Sequence, residues 1–113
     1  MVTFHRPNLY GPSALGLDAL VDFHLHNNPD YPFARLTPQD GHLTTVTWRE
    51  VAEAVHLAGR FLIDNIGPFD ARSPPVVAIF APDDGLIYTT IQLAIIRIGL
   101  IVSPSARVKV FRF

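Results

Sequence analysis

Hydrophobic positions along this chain switch between helical and strand spacing. Leu17, Leu20, Val21 and His24 fall on one helical stripe with Phe23 beside it. This predicts a helix capped by Ser13 and running to about Asn27, after an irregular lead-in over residues 1–13 broken by Pro7, Gly11 and Pro12. Asn27-Asn28-Pro29-Asp30 ends the helix, because a residue before proline avoids the helical region. Phe33–Leu36 and His42–Thr47 read as short strands joined through the turn Pro38-Gln39-Asp40-Gly41. The run Thr44-Thr45-Val46-Thr47 is β-branched, as a strand prefers, so a hairpin is expected.

Thr47-Trp48-Arg49-Glu50 fits a capping box, with the threonine hydroxyl and the glutamate carboxylate each satisfying a backbone amide of the other. The helix it opens runs from Trp48 to about Ile66. Val51, Val55, Ala58, Leu62 and Ile66 form its stripe, Ala54 and Phe61 widen it, and Gly67-Pro68 stops it. After a loop over residues 70–75, Val76–Phe80 is a continuous apolar strand of the kind a parallel sheet buries on both faces. Asp83 is a candidate cap for a helix from about Asp84 to Ile98; Gly99 ends it and Leu100–Ser103 form a second buried strand. The unit from Val76 to Ser103 is therefore a βαβ crossover, parallel and right-handed. In its helix Ile87, Ile91, Ala94, Ile95 and Ile98 make a stripe, while Leu86, Leu93 and Ile96 are apolar on other sides. A helix hydrophobic nearly all round asks for cover that two strands and two helices do not supply. The fold class is α/β, an incomplete piece with a hairpin, two main helices and a parallel unit. Beyond it, Arg107, Lys109, Phe111 and Phe113 alternate with Val108, Val110 and Arg112. That suits either an exposed strand or, since termini fray, an unstructured end.

Composition narrows the function classes. At 113 residues and 49% hydrophobic, the chain is one domain at most and is no disordered tail. The balance of 9 basic and 10 acidic residues excludes the dense basic face of a nucleic-acid binder. There is no cysteine, which removes disulfides and thiolate metal sites. Residues 1–10 lack the apolar core of a signal peptide. The apolar run Leu86–Val102 is too short for a comfortable membrane span and carries Arg97. A soluble, cytoplasmic chain without membrane or nucleic-acid partners is the expectation.

Candidate chemistry is sparse. His24 and His26, two apart on a helix, point different ways, with no third metal ligand evident. Asp83 and Asp84 could hold Mg²⁺ at the carboxyl end of a strand, but acids at a helix start act as caps, and two together repel an anion. Gly85 carries no phosphate signature. Ser103 and Ser105 lack the nucleophile-elbow context. Trp48 and the Ile87/Ile91/Ile95 stripe read as core. No catalytic, cofactor-binding or metal-binding residue is assigned.

The stretches "ALVDFHLHNNPDYPFARL", "TTVTWREVAEAVHLAGRFLIDNIG" and "PPVVAIFAPDDGLIYTTIQLAIIRIGLIVSPS" together resemble the start of the adenylate-forming superfamily, the AMP-dependent synthetases and ligases. The match covers roughly residues 17–104, and "VDFHLHNNPD" looks most like the fungal reductase type, with adenylation, carrier and reductase domains. The resemblance implies a parent that joins a carboxylate to ATP with Mg²⁺, releases pyrophosphate and passes the acyl group to a thiol. It places the Ser/Thr/Gly-rich phosphate loop, the adenine and ribose contacts and the catalytic lysine after the segment seen here. The only lysine is Lys109, in no glycine context, and the glycines are scattered as turn and cap residues. The family pattern is lost in "SARVKVFRF". The expectation is thus a partial N-terminal subdomain over residues 14–104 with a divergent tail over 105–113, a truncated piece inactive alone, whose partner is the remainder of an adenylation domain. The alternative is a small stand-alone α/β module for protein interaction or self-association.

Overall fold

A computed structural model of the chain describes residues 3–37, 41–80, 85–102 and 109–112. It forms two compact units, Met1–Ala54 and Val55–Phe113.

The first unit opens with an irregular segment held by turns. The Leu15 amide donates to the Asn8 carbonyl at 2.7 Å, and the Ala14 amide to Gly11 at 3.1 Å. Ser13 does not cap a helix: its hydroxyl accepts from the Asn8 carboxamide at 3.3 Å. The chain stays extended through Gly16, makes a 3-10 turn over Leu17–Ala19, and only then enters helix α1, Leu20–Asn27. Helix formation therefore starts later than the apolar spacing predicts, because the turn over residues 8–15 captures backbone groups a first helical turn would need. α1 ends before Asn28-Pro29, as expected.

Strands β1 (Pro32–Leu36) and β2 (Thr44–Thr47) pair antiparallel, as the β-branched run predicts. The register slips by one residue between Pro32 and Ala34, leaving Phe33 as the extra residue of a bulge. Phe33 meets Trp48 edge-on, with ring centroids 4.8 Å apart.

Helix α2, Trp48–Ile66, starts at the expected capping box. The Glu50 amide donates to Thr47 Oγ1 at 3.3 Å, and the Thr47 amide donates to Glu50 Oε1 at 3.2 Å. The helix stops where the Gly67 amide turns back to the Ile63 carbonyl at 2.9 Å, with Gly67 at φ +78. Its buried face holds four of the five expected stripe positions and departs at Ala58 and at the two widening residues. Val51, Ala52, Val55, Gly59, Leu62 and Ile66 are buried, whereas Ala54 and Phe61 are exposed and Ala58 is half-buried. The apolar sector is wider than the packed sector. A Cβ on Gly59 would lie 3.2 Å from Ile98 Cγ2, so the missing side chain lets Ile98 close in and centres the seam there.

In the second unit β3 (Val76–Phe80) is the middle strand of a parallel sheet, with β4 (Ile101–Val102) on one side and β5 (Lys109–Arg112) on the other. Helix α3, Gly85–Arg97, links β3 to β4 and packs on both. Residues 81–84, with the expected Asp83 cap, lie outside the described set, and the hand of the crossover is not assigned. α3 ends in two reversed bonds, Gly99 to Ile96 at 3.1 Å and Leu100 to Ile95 at 3.0 Å, with Gly99 at φ +86. Ile91, Ala94 and Ile95 are buried, but Ile87 is 47% exposed. β4 is shorter than expected and is not buried throughout: Leu100 is buried and Ile101 is 46% exposed. Of the two possibilities for the chain's end, the backbone of Lys109–Arg112 takes the strand, pairing from Val77↔Lys109 to Phe80↔Arg112. A strand in that place satisfies backbone groups of β3 that would otherwise lack partners.

Replacing Thr47 by alanine removes the acceptor for the Glu50 amide. It should lower stability by about 1 kcal/mol, the usual worth of such a cap, read from urea unfolding followed by circular dichroism.

Candidate functional site

The first unit concentrates its polar contacts around two side chains from the end of α1. His24 is 4% exposed and Asn28 1%. They lie one turn apart, and the Asn28 amide closes that turn on the His24 carbonyl at 2.8 Å. The Asn28 carboxamide faces the backbone of His5. Its Nδ2 donates to the His5 carbonyl at 2.7 Å, and its Oδ1 accepts from the His5 amide at 2.5 Å. The second Nδ2 hydrogen points at His24 Nδ1, 3.0 Å away. With a donor facing it, Nδ1 must be an acceptor, which puts the imidazole proton on Nε2.

The His24 ring is sandwiched. It stacks on Trp48 with centroids 4.0 Å apart and 17° between planes, and on Phe4 at 5.7 Å, with Phe23 edge-on at 5.3 Å. Burial in this aromatic setting lowers the His24 pKa below the ordinary 6.5. The folded state therefore binds the proton less readily than the unfolded chain. Stability from this group is complete above about pH 6.5 and is lost as the pH falls through the depressed value.

The second unit carries an open groove of about 390 Å³ between α2 and the end of α3. His56, Arg60 and Arg97 supply its polar wall, and Gly59, Ile63 and Ile98 its floor. A more apolar depression of about 300 Å³ adjoins it across Ile63 and Ile98, bounded by Gly67, Pro68 and Phe69. The polar residues of the groove form no general-base or nucleophile pair.

The residues singled out from sequence scatter. His24 is buried and His26 exposed on the same helix. Trp48 is half-buried and packs on His24 and Phe33. Gly85 is the first residue of α3 and Lys109 the first of β5. Asp83, Asp84, Ser103 and Ser105 lie outside the described residues. No group of three or more His, Asp or Glu side chains converges to hold a metal among the described residues, nor is any helix among them long and apolar enough to cross a membrane. Sequence reading missed Asn28 as a buried hub, since a carboxamide before proline at a helix end looks like a solvated stop. It also missed the groove, whose one sequence signal was Gly59 inside an otherwise regular helix.

The chain is similar to a protein named adenylate-forming reductase Nps10, from Heterobasidion annosum. The two are 32% identical over 108 residues, which cover 90% of this chain and 10% of the relative. The chain thus spans about a tenth of the length of the curated relative it matches. This agrees with the resemblance to adenylate-forming enzymes carried by the sequence motifs. No protein-family model matches the chain, and no solved structure matches it either.

Substituting Asn28 with alanine would strip the His5 amide and carbonyl of their partners in a part-buried place. We expect a loss of about 1–3 kcal/mol in urea unfolding, the usual penalty for orphaned groups, with a change in Trp48 emission.

Proposed function

We propose that this chain is the N-terminal part of an enzyme that activates a carboxylic acid with ATP and Mg²⁺ as an acyl-adenylate, of the reductase type in which carrier and reductase domains follow. The observation that carries this reading is the 32% identity to an adenylate-forming reductase along 90% of the chain. In the reaction so proposed, the carboxylate oxygen attacks the α-phosphorus and pyrophosphate leaves; a thiol then attacks the acyl carbon, forming the thioester as AMP leaves. This chain contributes scaffold. Its seven glycines form no phosphate loop and its one lysine lies at position 109. The anion cradle and the catalytic lysine belong to the remainder of such a domain.

Exposed apolar side chains support the scaffold role. Leu57 is 68% exposed, and Ile87 and Ile101 are nearly half exposed. The rest of such an adenylation domain would cover surfaces of this kind. The same surface favours a second reading, a stand-alone module that binds a protein partner or itself. Leu57 and Phe61, four apart on α2, make an apolar edge outside the packed seam.

Isolated chain should release no pyrophosphate from ATP with any carboxylic acid, and calorimetry should show no saturable nucleotide binding. Turnover would overturn the scaffold reading. Sedimentation separates the two readings. A folded chain that binds an apolar dye and self-associates without a defined stoichiometry fits the scaffold, and a monomer or discrete dimer that binds no dye fits the module. Genomic DNA beyond the codon for Phe113 should encode a Ser/Thr/Gly-rich loop with a lysine; a kilobase without one argues against the parent enzyme.

A further inference from the structure

The backbone of His5 is held by a single carboxamide whose orientation depends on the protonation state of a neighbour. Asn28 can satisfy both the His5 carbonyl and the His5 amide in one orientation only, with Nδ2 toward the carbonyl and Oδ1 toward the amide. That orientation aims the remaining Nδ2 hydrogen at His24 Nδ1, at 3.0 Å. When His24 takes a second proton, Nδ1 becomes a donor and two donors face each other. Rotating the carboxamide by half a turn would present Oδ1 to the imidazolium. It would also set a donor against the His5 amide and an acceptor against the His5 carbonyl. No single orientation serves both His5 and a protonated His24.

We infer that residues 3–6 form a strap latched by Asn28 and released when His24 is protonated on Nδ1. The hinge is at Pro7, which is buried, and the anchor beyond it is Asn8, whose carbonyl accepts from Leu15 and whose side chain bonds Ser13, neither bond involving His24. Release takes Phe4 off His24 and off Tyr31, where the rings sit 4.7 Å apart, and opens one face of the aromatic stack. The rings against the imidazole are Phe4, Phe23 and Trp48, and its Nδ1 faces Asn28. The titratable and charged groups on the elements packed there are His5, Arg6, Asp22, His26, Asp30, Tyr31, Arg35, Arg49, Glu50 and Glu53. Of these, Asp30 pairs with Arg49 at 2.8 Å and Glu50 is held in the α2 cap. Neither arrangement involves the imidazole.

The test follows amide hydrogen exchange and His24 ring nitrogen shifts by NMR on the full chain between pH 7.5 and 5. Protection of the His5 amide should fall at least tenfold, with the same midpoint as His24 protonation, while the amides of Val55 and Leu62 in α2 stay protected. In His24→Gln the side-chain carbonyl can accept from Asn28 without titrating, and His5 protection should stay level. The inference is overturned if His5 is unprotected at pH 7.5, or if its protection does not change. It is equally overturned if His5 and the α2 amides lose protection together, or if the two midpoints differ. Should His24→Gln not fold, that coincidence of midpoints in the unsubstituted chain decides. None of these outcomes bears on adenylation.

Discussion

A carboxamide has two donor hydrogens and an acceptor oxygen in one plane, and Asn28 uses all three at a place where three pieces of chain meet. It stands at the end of α1, pairs with the backbone of His5 and holds the neutral form of His24. The loop that follows it is equally committed. The Pro29 carbonyl accepts from the Arg49 amide at 2.9 Å, and the Tyr31 carbonyl from Trp48 at 3.1 Å. The first turn of α2 is thereby tied to the end of α1 through backbone bonds, and the aromatic stack fills the space between. Each partner in the cluster limits the others. Trp48 can lie flat on His24 because the imidazole is fixed, and the imidazole is fixed because Asn28 faces it.

The second unit rests on a different logic. Parallel strands leave backbone groups to be satisfied on both sides of β3, and β4 and β5 supply them. The helices meet this unit with more apolar surface than it covers. On α2 only the sector from Val51 through Gly59 to Ile66 is packed, and Leu57, Phe61 and Ile63 remain in contact with solvent. This apolar surplus lies next to the groove lined by Arg60 and Arg97.

Elements defined by local chemistry were legible in the sequence. The capping box at Thr47 and Glu50, the glycine stops at Gly67 and Gly99 and the β-branched run of β2 each encode their geometry within a few residues, and each lies where its pattern predicts. What depended on distant chain was not legible. The helix that should have begun after Ser13 is delayed by bonds between Asn8 and residues 13–15. That α2 packs through Gly59, beside the expected stripe, goes with Ile98, some forty residues further on. Asn28 became a hub because of His5, which nothing in its own neighbourhood announces. The groove likewise needed two helices brought side by side before its residues had anything in common.

Gly59 and Gly99 are the same residue held by unrelated requirements. At Gly59 the torsion is helical and any L-residue could adopt it; what matters is room, because Ile98 Cγ2 lies 3.2 Å from where a methyl group would go. At Gly99 there is space for a side chain, with no atom near the position a Cβ would occupy, but the backbone carries the opposite hand to the one L-residues favour. Alanine at position 59 would crowd a neighbour while favouring the helix. At position 99 it would touch nothing and still be strained. Tolerance to substitution along this chain is therefore set by volume at one glycine and by chirality at the other.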